Sequence, residues 1–209
     1  MRKLNILFFG CGFIASHLIP FLTPFMNKAV LVDRERLESV NYDNGIYPKG
    51  YVGRRKVSAL MALLNVLSDL TVVPIHRDIS RADELLEIIK SNSVDLMVVS
   101  VDNLEARHIA LKATADAGID AVFIGVTEDF GYIDWGDRVY LPSLEEKEDI
   151  EEILKGVRDV CTRIEFRPLG ALSASLAFTA IFNYILHRSR TAYIFWHSSG
   201  RINVVSLKR

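Results

Sequence analysis

One short segment near the start of the chain constrains the fold most: an apolar run that ends in two glycines. Leu4–Phe9 shows no polar alternation, which is typical of a central parallel strand covered on both faces. Gly10-Cys11-Gly12-Phe13-Ile14-Ala15 follows, and then a helical pattern over Ala15–Phe25. Gly10 and Gly12 permit a tight turn that brings a phosphate close to backbone N–H groups at a helix N-terminus, and Ala15 occupies the third fingerprint position. The segment predicts a strand–turn–helix unit that binds a nucleotide.

Apolar runs and helical patterns alternate over the next hundred residues. Further strands are expected at Ala29–Val32, Leu70–Ile75, Leu96–Val101 and Ala121–Val126, with helices at Gly53–Leu67, Ala82–Lys90 and Leu104–Ala117. This alternation predicts an α/β fold with a doubly wound, Rossmann-like, mainly parallel sheet. Such sheets bind ligands beyond the carboxyl ends of their strands.

The second half of the chain follows a different pattern. We expect a single domain over 1–209, with a Rossmann core (1–136), a crossover (137–169) and a C-terminal apolar helix and hairpin (170–209). Glu145–Val160 is expected to form an acidic helix, and Ala192–Ser206 a hairpin around Ser199-Gly200. Phe130, Tyr132 and Trp135 are expected in a loop that lines a substrate pocket or packs in the core.

Composition excludes several classes of protein. The net charge of −1, with no long basic run, argues against nucleic acid as a partner. The most apolar segment, Gly170–Leu186, contains Ser173 and Asn183, so we expect a buried or subunit-interface helix and a homodimer rather than a membrane span. Cys11 and Cys161 provide no paired C-x-x-C motif, which argues against zinc. A cytoplasmic protein is expected.

A carboxylate is expected at the end of the second strand. Asp33 lies 23 positions after Gly10, where a carboxylate accepts hydrogen bonds from the hydroxyl groups of a ribose. These features alone fit an NAD-dependent oxidoreductase as well as an ATP-binding enzyme.

Four further motifs distinguish these alternatives. Asp33-Arg34-Glu35-Arg36-Leu37-Glu38-Ser39-Val40-Asn41 is followed by Gly53-Arg54-Arg55-Lys56-Val57, by Ser100-Val101-Asp102-Asn103 with Arg107 beyond it, and by Arg167-Pro168-Leu169-Gly170. In this order and at this spacing, the motifs resemble those of the E1-like adenylyltransferases of the ThiF/MoeB type. The resemblance covers nearly the whole chain, and it implies that ATP and Mg²⁺ activate a carboxylate as an acyl adenylate with release of pyrophosphate.

The resemblance also implies roles for individual residues. Asp33 would hold the ribose of ATP, Lys56 would contact the phosphates, and Asp102 would serve the phosphates through Mg²⁺. Beside this resemblance, we expect Arg55 to act with Lys56 as a catalytic residue. The other residues expected to bind ATP are Gly10, Gly12, Ala15, Asn41, Arg54 and Asn103. Cations suit this chemistry because negative charge develops as pyrophosphate leaves.

The sequence departs from the family pattern at two places. Asn44 stands where the family has a phosphate-contacting arginine, so Arg36, Arg54 or Arg55 is expected to replace it. The zinc-binding cysteine pairs are missing, and Cys161, ahead of the apolar helix, is expected to be a small hydrophobic residue.

This trimmed form suggests a small-molecule carboxylate substrate, with a separate acceptor taking the acyl group. The most specific resemblance is to a compact member of this family, which activates a pyridinol carboxylate during guanylylpyridinol cofactor synthesis. The alternatives are activation of the C-terminal glycine of a ubiquitin-like or sulfur-carrier protein, an NAD-dependent oxidoreductase, and a binding protein that retains nucleotide affinity without catalysis.

Overall fold

The computed structural model describes residues 3–128, 130–142, 160, 163–198 and 201–207. The strands are β1 (Leu4–Phe9), β2 (Met26–Asp33), β3 (Thr71–His76), β4 (Leu96–Val99), β5 (Asp120–Val126), β6 (Phe130–Trp135), β7 (Ala192–Ser198) and β8 (Arg201–Leu207). The helices are α1 (Phe13–Leu22), α2 (Ser39–Asn44), α3 (Lys56–Leu67), α4 (Ala82–Ser91), α5 (Leu104–Ala117) and α6 (Arg167–His187).

All eight strands form one sheet in the order β3-β2-β1-β4-β5-β6-β7-β8. Neighbours from β3 to β5 are parallel, and β6, β7 and β8 are added as antiparallel strands. The strand order reverses between β1 and β4, which is the topological switch point where doubly wound sheets bind ligands. The predicted Rossmann-like α/β sheet is confirmed.

The first strand is apolar except for Asn5, and its packing shows why. Ile6 and Phe8 belong to the core under α1, α3 and α6, whereas Leu7 and Phe9 belong to the core under α4 and α5. All four side chains are buried. A strand covered on both faces has no solvent-facing position, so apolar residues follow one another without alternation.

Helix α6 packs on α1 and on strands β5 and β6. Gly170 makes the contact with α1 possible, because a Cβ atom there would lie 2.6 Å from the ring of Phe13. The segment Ile164–His187 is long and apolar enough to cross a membrane by length and composition, and 44% of its most apolar window is buried within the fold. On its outer side, the rings of Phe178 and Phe182 stack on each other, and the ring of Phe25 contacts both at a steep angle.

The prediction of a loop at Phe130, Tyr132 and Trp135 is wrong, because these residues lie in strand β6. Trp135 is fully buried and its indole N–H donates to the Thr191 carbonyl at 3.0 Å. The strand expected to continue to Val101 ends at Val99, and the helix expected from Gly53 begins at Lys56. The Glu145–Val160 helix, apart from its last residue, and the turn at Ser199-Gly200 lie outside the described residues.

Candidate functional site

A cavity of about 660 Å³ lies at the carboxyl ends of β1, β2, β4 and β5. Its volume is within the range of small-molecule sites. Most of the residues proposed from the sequence line it: Gly10, Gly12, Asp33, Asn41, Lys56, Asp102 and Asn103. The switch point therefore brings together side chains that are up to 93 positions apart in the chain (from 10 to 103).

The glycine turn is fixed by close packing against β4. Gly10 has φ +94°, and a Cβ atom at this position would lie 3.0 Å from the carbonyl carbon of Ser100 and from the amide nitrogen of Val101. Its own N–H donates to the Val32 carbonyl at 3.0 Å. Both the backbone conformation and the available space require glycine here.

Asp33 holds this turn in place. One carboxylate oxygen accepts the N–H of Cys11 at 2.7 Å, and the other accepts the N–H of Glu35 at 2.7 Å. Burial raises the pKa of Asp33, although the charge of Lys56 and these two N–H groups act in the opposite direction. Asp33 thus ties the first turn to the second strand, and the exposed carboxylate of Glu35 lies beside it.

Lys56, the first residue of α3, carries a buried charge at the turn. Its side chain is only 8% exposed, and the ammonium group pairs with Glu35. The Nζ atom lies 4.0 Å from the position a Cβ atom would take at Gly12. Burial opposes the charge, but Asp33 and Glu35 outweigh it and raise the pKa of Lys56. The lysine is therefore a buried cation next to the glycine turn.

The structure separates the three arginines expected to replace the missing one. Arg36 lines the cavity and donates to the Gly53 carbonyl at 3.0 Å. Arg54 and Arg55 do not line it. The Arg54 guanidinium stacks on Tyr51 with 4.6 Å to the ring centroid, and Arg55 precedes α3 as its N-cap.

Asn44 faces the core instead of the cavity. It is buried, and its backbone carbonyl lies 3.2 Å from Nε2 of His17 on α1. The next residue, Gly45, packs so closely that a Cβ atom would lie 3.1 Å from the hydroxyl oxygen of Ser16. The departure from the family pattern is thus accommodated by close packing of α2 on α1.

The segment between β4 and α5 provides polar groups at the opposite side of the cavity. Asp102 is exposed, and Asn103 caps α5 by accepting the N–H of Ala106 at 2.9 Å. Arg107, in the second turn of α5, donates to the Ile124 carbonyl at 2.7 Å and to the Tyr132 hydroxyl at 2.9 Å. Asn103 is thus partly committed to the helix cap, whereas the side chain of Asp102 has no hydrogen-bond or ion-pair partner within the described part of the chain.

The remaining candidates have structural roles. Asn41 lines the cavity, and its side chain accepts the N–H of Glu38 at 2.9 Å in the capping box of α2. Ala15 is buried beneath the turn and does not line the cavity. Cys11 is buried as well, and burial raises the pKa of its thiol. Cys161 lies outside the described residues, among which no group of three His, Cys, Asp or Glu side chains could hold a metal ion.

Glu35 is one of the lining residues to which the sequence analysis assigned no role. Its carboxylate is half exposed, lines the cavity and pairs with Lys56. The signal was its position two residues after Asp33, which places both carboxylates at the end of β2.

The cavity is surrounded by a glycine turn, two carboxylates at the end of β2 and a buried lysine, an arrangement typical of the nucleotide sites of Rossmann-type folds. The sequence profile of the ThiF family matches residues 1–134, and the chain belongs to the ThiF family.

Solved structures confirm the fold. MccB of E. coli, crystallised with AMPCPP and MccA, has a TM-score of 0.73 and 22% identity, with 98% of this chain and 63% of MccB covered. MccB crystallised with ATP gives 0.74 and 21%, covering 99% of this chain and 64% of MccB. PaaA gives 0.71 and 15%, covering 97% and 72%. The chain thus spans less than two thirds of the length of MccB. A search of curated proteins found no match.

Proposed function

We propose that the protein is an ATP-dependent adenylyltransferase that activates a carboxylate as an acyl adenylate. The observation that carries the proposal is the cavity at the switch point, in which the glycine turn, Asp33, Lys56 and Asp102 converge. ThiF family membership favours ATP over a nicotinamide cofactor. The MccB structures with ATP and with AMPCPP and MccA support the same reaction class.

ATP would bind with its phosphates at the turn and its ribose at the end of β2. The N–H groups of Gly12 and Phe13 face the phosphates at the start of α1, where the helix dipole favours an anion. Asp33 and Glu35 accept the ribose hydroxyls. Lys56 leaves Glu35 to contact the phosphates, so nucleotide binding exchanges one charged partner of the lysine for another.

The phosphate side of the cavity requires more positive charge than Lys56 supplies, because Asp33 and Glu35 are both close to it. We propose that Arg36 provides this charge in place of the arginine missing at Asn44. Its only hydrogen-bond partner among the described residues is the Gly53 carbonyl, so its guanidinium is free to bind a phosphate.

The donor chemistry of the cavity fits Mg²⁺. Asp102 presents an exposed carboxylate, and Mg²⁺ in nucleotide sites is bound by one or two carboxylates together with phosphates and water. Bound there, Mg²⁺ would neutralise charge on the leaving pyrophosphate. Asp102 would hold the ion and Lys56 would stabilise the phosphates. The carboxylate oxygen of the substrate attacks the α-phosphorus while the bond to pyrophosphate breaks, so no protein nucleophile is needed.

We propose a small-molecule carboxylate as the substrate, with a pyridinol carboxylate of the guanylylpyridinol type as the most specific candidate and a separate acceptor for the acyl group. One observation favours a second candidate, the C-terminus of a carrier protein or peptide. Beyond α5 the sheet exposes Phe130 and Trp196, each about 41% exposed, and Val205 at 42%. Such an apolar face is able to hold a polypeptide, and MccB is crystallised with MccA.

The outer side of α6 motivates the proposal of a cytoplasmic homodimer. Phe21 is 48% exposed and packs edge-on against Phe178. Gel filtration with light scattering is expected to give twice the chain mass of 23.6 kDa. A monomer across the micromolar range would contradict this part of the proposal.

Calorimetric titration with Mg·ATP, with NADH as the competing ligand, tests the function. Wild type is expected to bind Mg·ATP and not NADH, and Asp33→Ala is expected to lose binding because the turn loses its anchor. Asp43→Ala, an exposed residue of α2 outside the cavity, is the matched control and should bind normally. Pyrophosphate release with candidate carboxylates follows. Binding of NADH alone would reject the proposal, and ATP binding without turnover on any carboxylate would favour a non-catalytic binding protein.

A further inference from the structure

The arginines that line the cavity differ in whether their charge is already neutralised. In the part of the chain that the structure describes, four arginines line it: Arg34, Arg36, Arg77 and Arg107. Arg34 pairs with Asp78 at 3.2 Å and Arg77 with Glu84 at 3.7 Å. Among the described residues, Arg36 and Arg107 contact only neutral oxygen atoms. Two uncompensated cations therefore face the cavity, and two anions take part in the proposed reaction.

Arg107 differs from Arg36 in being rigidly held. Its two terminal nitrogens donate to the Ile124 carbonyl at 2.7 Å and to the Tyr132 hydroxyl at 2.9 Å. Tyr132 reaches this position because its ring lies across Gly125, where any Cβ atom would collide with it. A guanidinium has five N–H donors, so donors remain for a ligand. Arg107 is half-buried, which strengthens its interaction with an anion.

The position of Arg107 separates it from the phosphate site. It is bonded to the end of β5, which is two strands from the glycine turn at the end of β1. At about 4.8 Å between neighbouring strands, the two sites are about 10 Å apart. Arg36 lies on the other side of the turn, after β2. The two cations thus face opposite ends of the cavity.

We propose that Arg107 binds the carboxylate of the substrate and that Tyr132 is its positioning residue. The inference rests on the proposed adenylyltransferase function and adds the substrate's binding site to it. Arg107 would hold one carboxylate oxygen while the other attacks the α-phosphorus; the new bond joins this oxygen to phosphorus, and the bond to pyrophosphate breaks. Asp102 and Glu105 line the same side of the cavity and would repel a carboxylate, so binding there requires a fixed cation.

The test uses acetate as a minimal carboxylate probe. Acetate is titrated onto protein saturated with Mg·AMPCPP at constant ionic strength, and the backbone amide signal of Gly125 is followed by NMR. Wild type is expected to show a saturable shift. Arg107→Met should weaken acetate binding by about 10- to 100-fold, as expected for loss of a charge-assisted hydrogen bond. Tyr132→Phe, which keeps the ring and removes the hydroxyl, should weaken it by about threefold.

Two controls accompany the acetate titration. Arg81→Met removes an exposed arginine at the start of α4, outside the cavity, and should leave acetate affinity unchanged. Calorimetry should give the same affinity for Mg·AMPCPP in Arg107→Met as in wild type.

If Arg107→Met lowers the melting temperature but binds acetate as wild type does, Arg107 only joins α5 to β5 and the inference is wrong. Absence of a saturable shift in a wild-type protein that binds Mg·AMPCPP would also overturn it. A wild-type protein that does not bind Mg·AMPCPP would instead refute the proposed function.

Discussion

Replacing Lys56 by methionine tests the buried cation in the site. The substitution keeps the length of the side chain and removes its charge from a position that is 8% exposed. A hydrogen bond to a charged group contributes about 1.5–3 kcal/mol, so loss of the phosphate contact should raise the Kd for Mg·ATP by about 10- to 150-fold. Calorimetric titration measures this change.

The same variant should be less stable, in a way that depends on pH. Removing one partner of a buried ion pair costs about 3–5 kcal/mol, but Glu35 is half exposed, so we expect about 1–2 kcal/mol. The pKa of Asp33 is already raised by burial, and loss of Lys56 should raise it further. An Asp with a raised folded-state pKa destabilises the fold when ionised, and this cost disappears as the pH falls through that pKa. The stability deficit should therefore be smaller at pH 5 than at pH 7.5.

Urea unfolding at the two pH values measures the deficit, and Lys112→Met is the matched control. Lys112 is 69% exposed on α5, and its one ion-pair partner in the described part of the chain is Asp116, so its loss should change stability by less than about 0.5 kcal/mol. Unchanged ATP affinity in Lys56→Met would refute the assignment of this lysine to the phosphates. A deficit that grows toward acid pH would refute the electrostatic coupling to Asp33.

Three further substitutions test the framework of the site. Gly10→Ala should lower the free energy of unfolding by about 1–3 kcal/mol and abolish ATP binding. Gly50→Ala is the control, because the space around Gly50 is open, and it should have neither effect. A Gly10→Ala variant that is stable and binds ATP would refute the role of Gly10 in the turn. Trp135→Phe removes a buried hydrogen bond and should cost about 1–3 kcal/mol by urea unfolding, against less than about 0.5 for the exposed Trp196→Phe. Gly131→Ala should cost about 1–3 kcal/mol through its collision with Phe195, and Phe195→Leu should recover part of that loss; additive losses would contradict the collision.

The parallel half of the fold was predictable because its physical causes are local. Strands covered on both faces leave continuous apolar runs, and the helices between them follow the usual period. Strand β6 was missed because Gly131 takes one of its buried positions, where it makes room for the Phe195 ring, and Phe130 is exposed. Buried and more exposed residues alternate along β6, but apolar and polar residues do not. Helix α2 did leave a signal, the Glu38–Asn41 capping box.

The sequence indicated which residues line the cavity better than it indicated what each residue does there. The motifs name Gly10, Lys56 and Asp102, and in the structure all three line one cavity, while their roles stay predictions. The choice among the arginines depends on an isolated bridge between Arg36 and Arg55, which sets the path of the chain ahead of α3. That bridge joins residues 19 positions apart through backbone groups, so no side-chain pattern reports it. The commitment of Asp33 to two backbone N–H groups also becomes visible only in three dimensions.

The anchoring of the glycine turn by Asp33 divides its amide protons into two populations. The N–H groups of Gly10 and Cys11 are bonded within the protein, to Val32 and Asp33. Those of Gly12 and Phe13 have no acceptor among the described residues, so a phosphate would be their first partner. Hydrogen exchange should therefore be slow at the first pair with or without nucleotide, and should slow at the second pair only when nucleotide is bound. If the proposed function is right, ATP would meet a turn whose backbone is already held by Val32 and Asp33, and binding would need no rearrangement of that backbone.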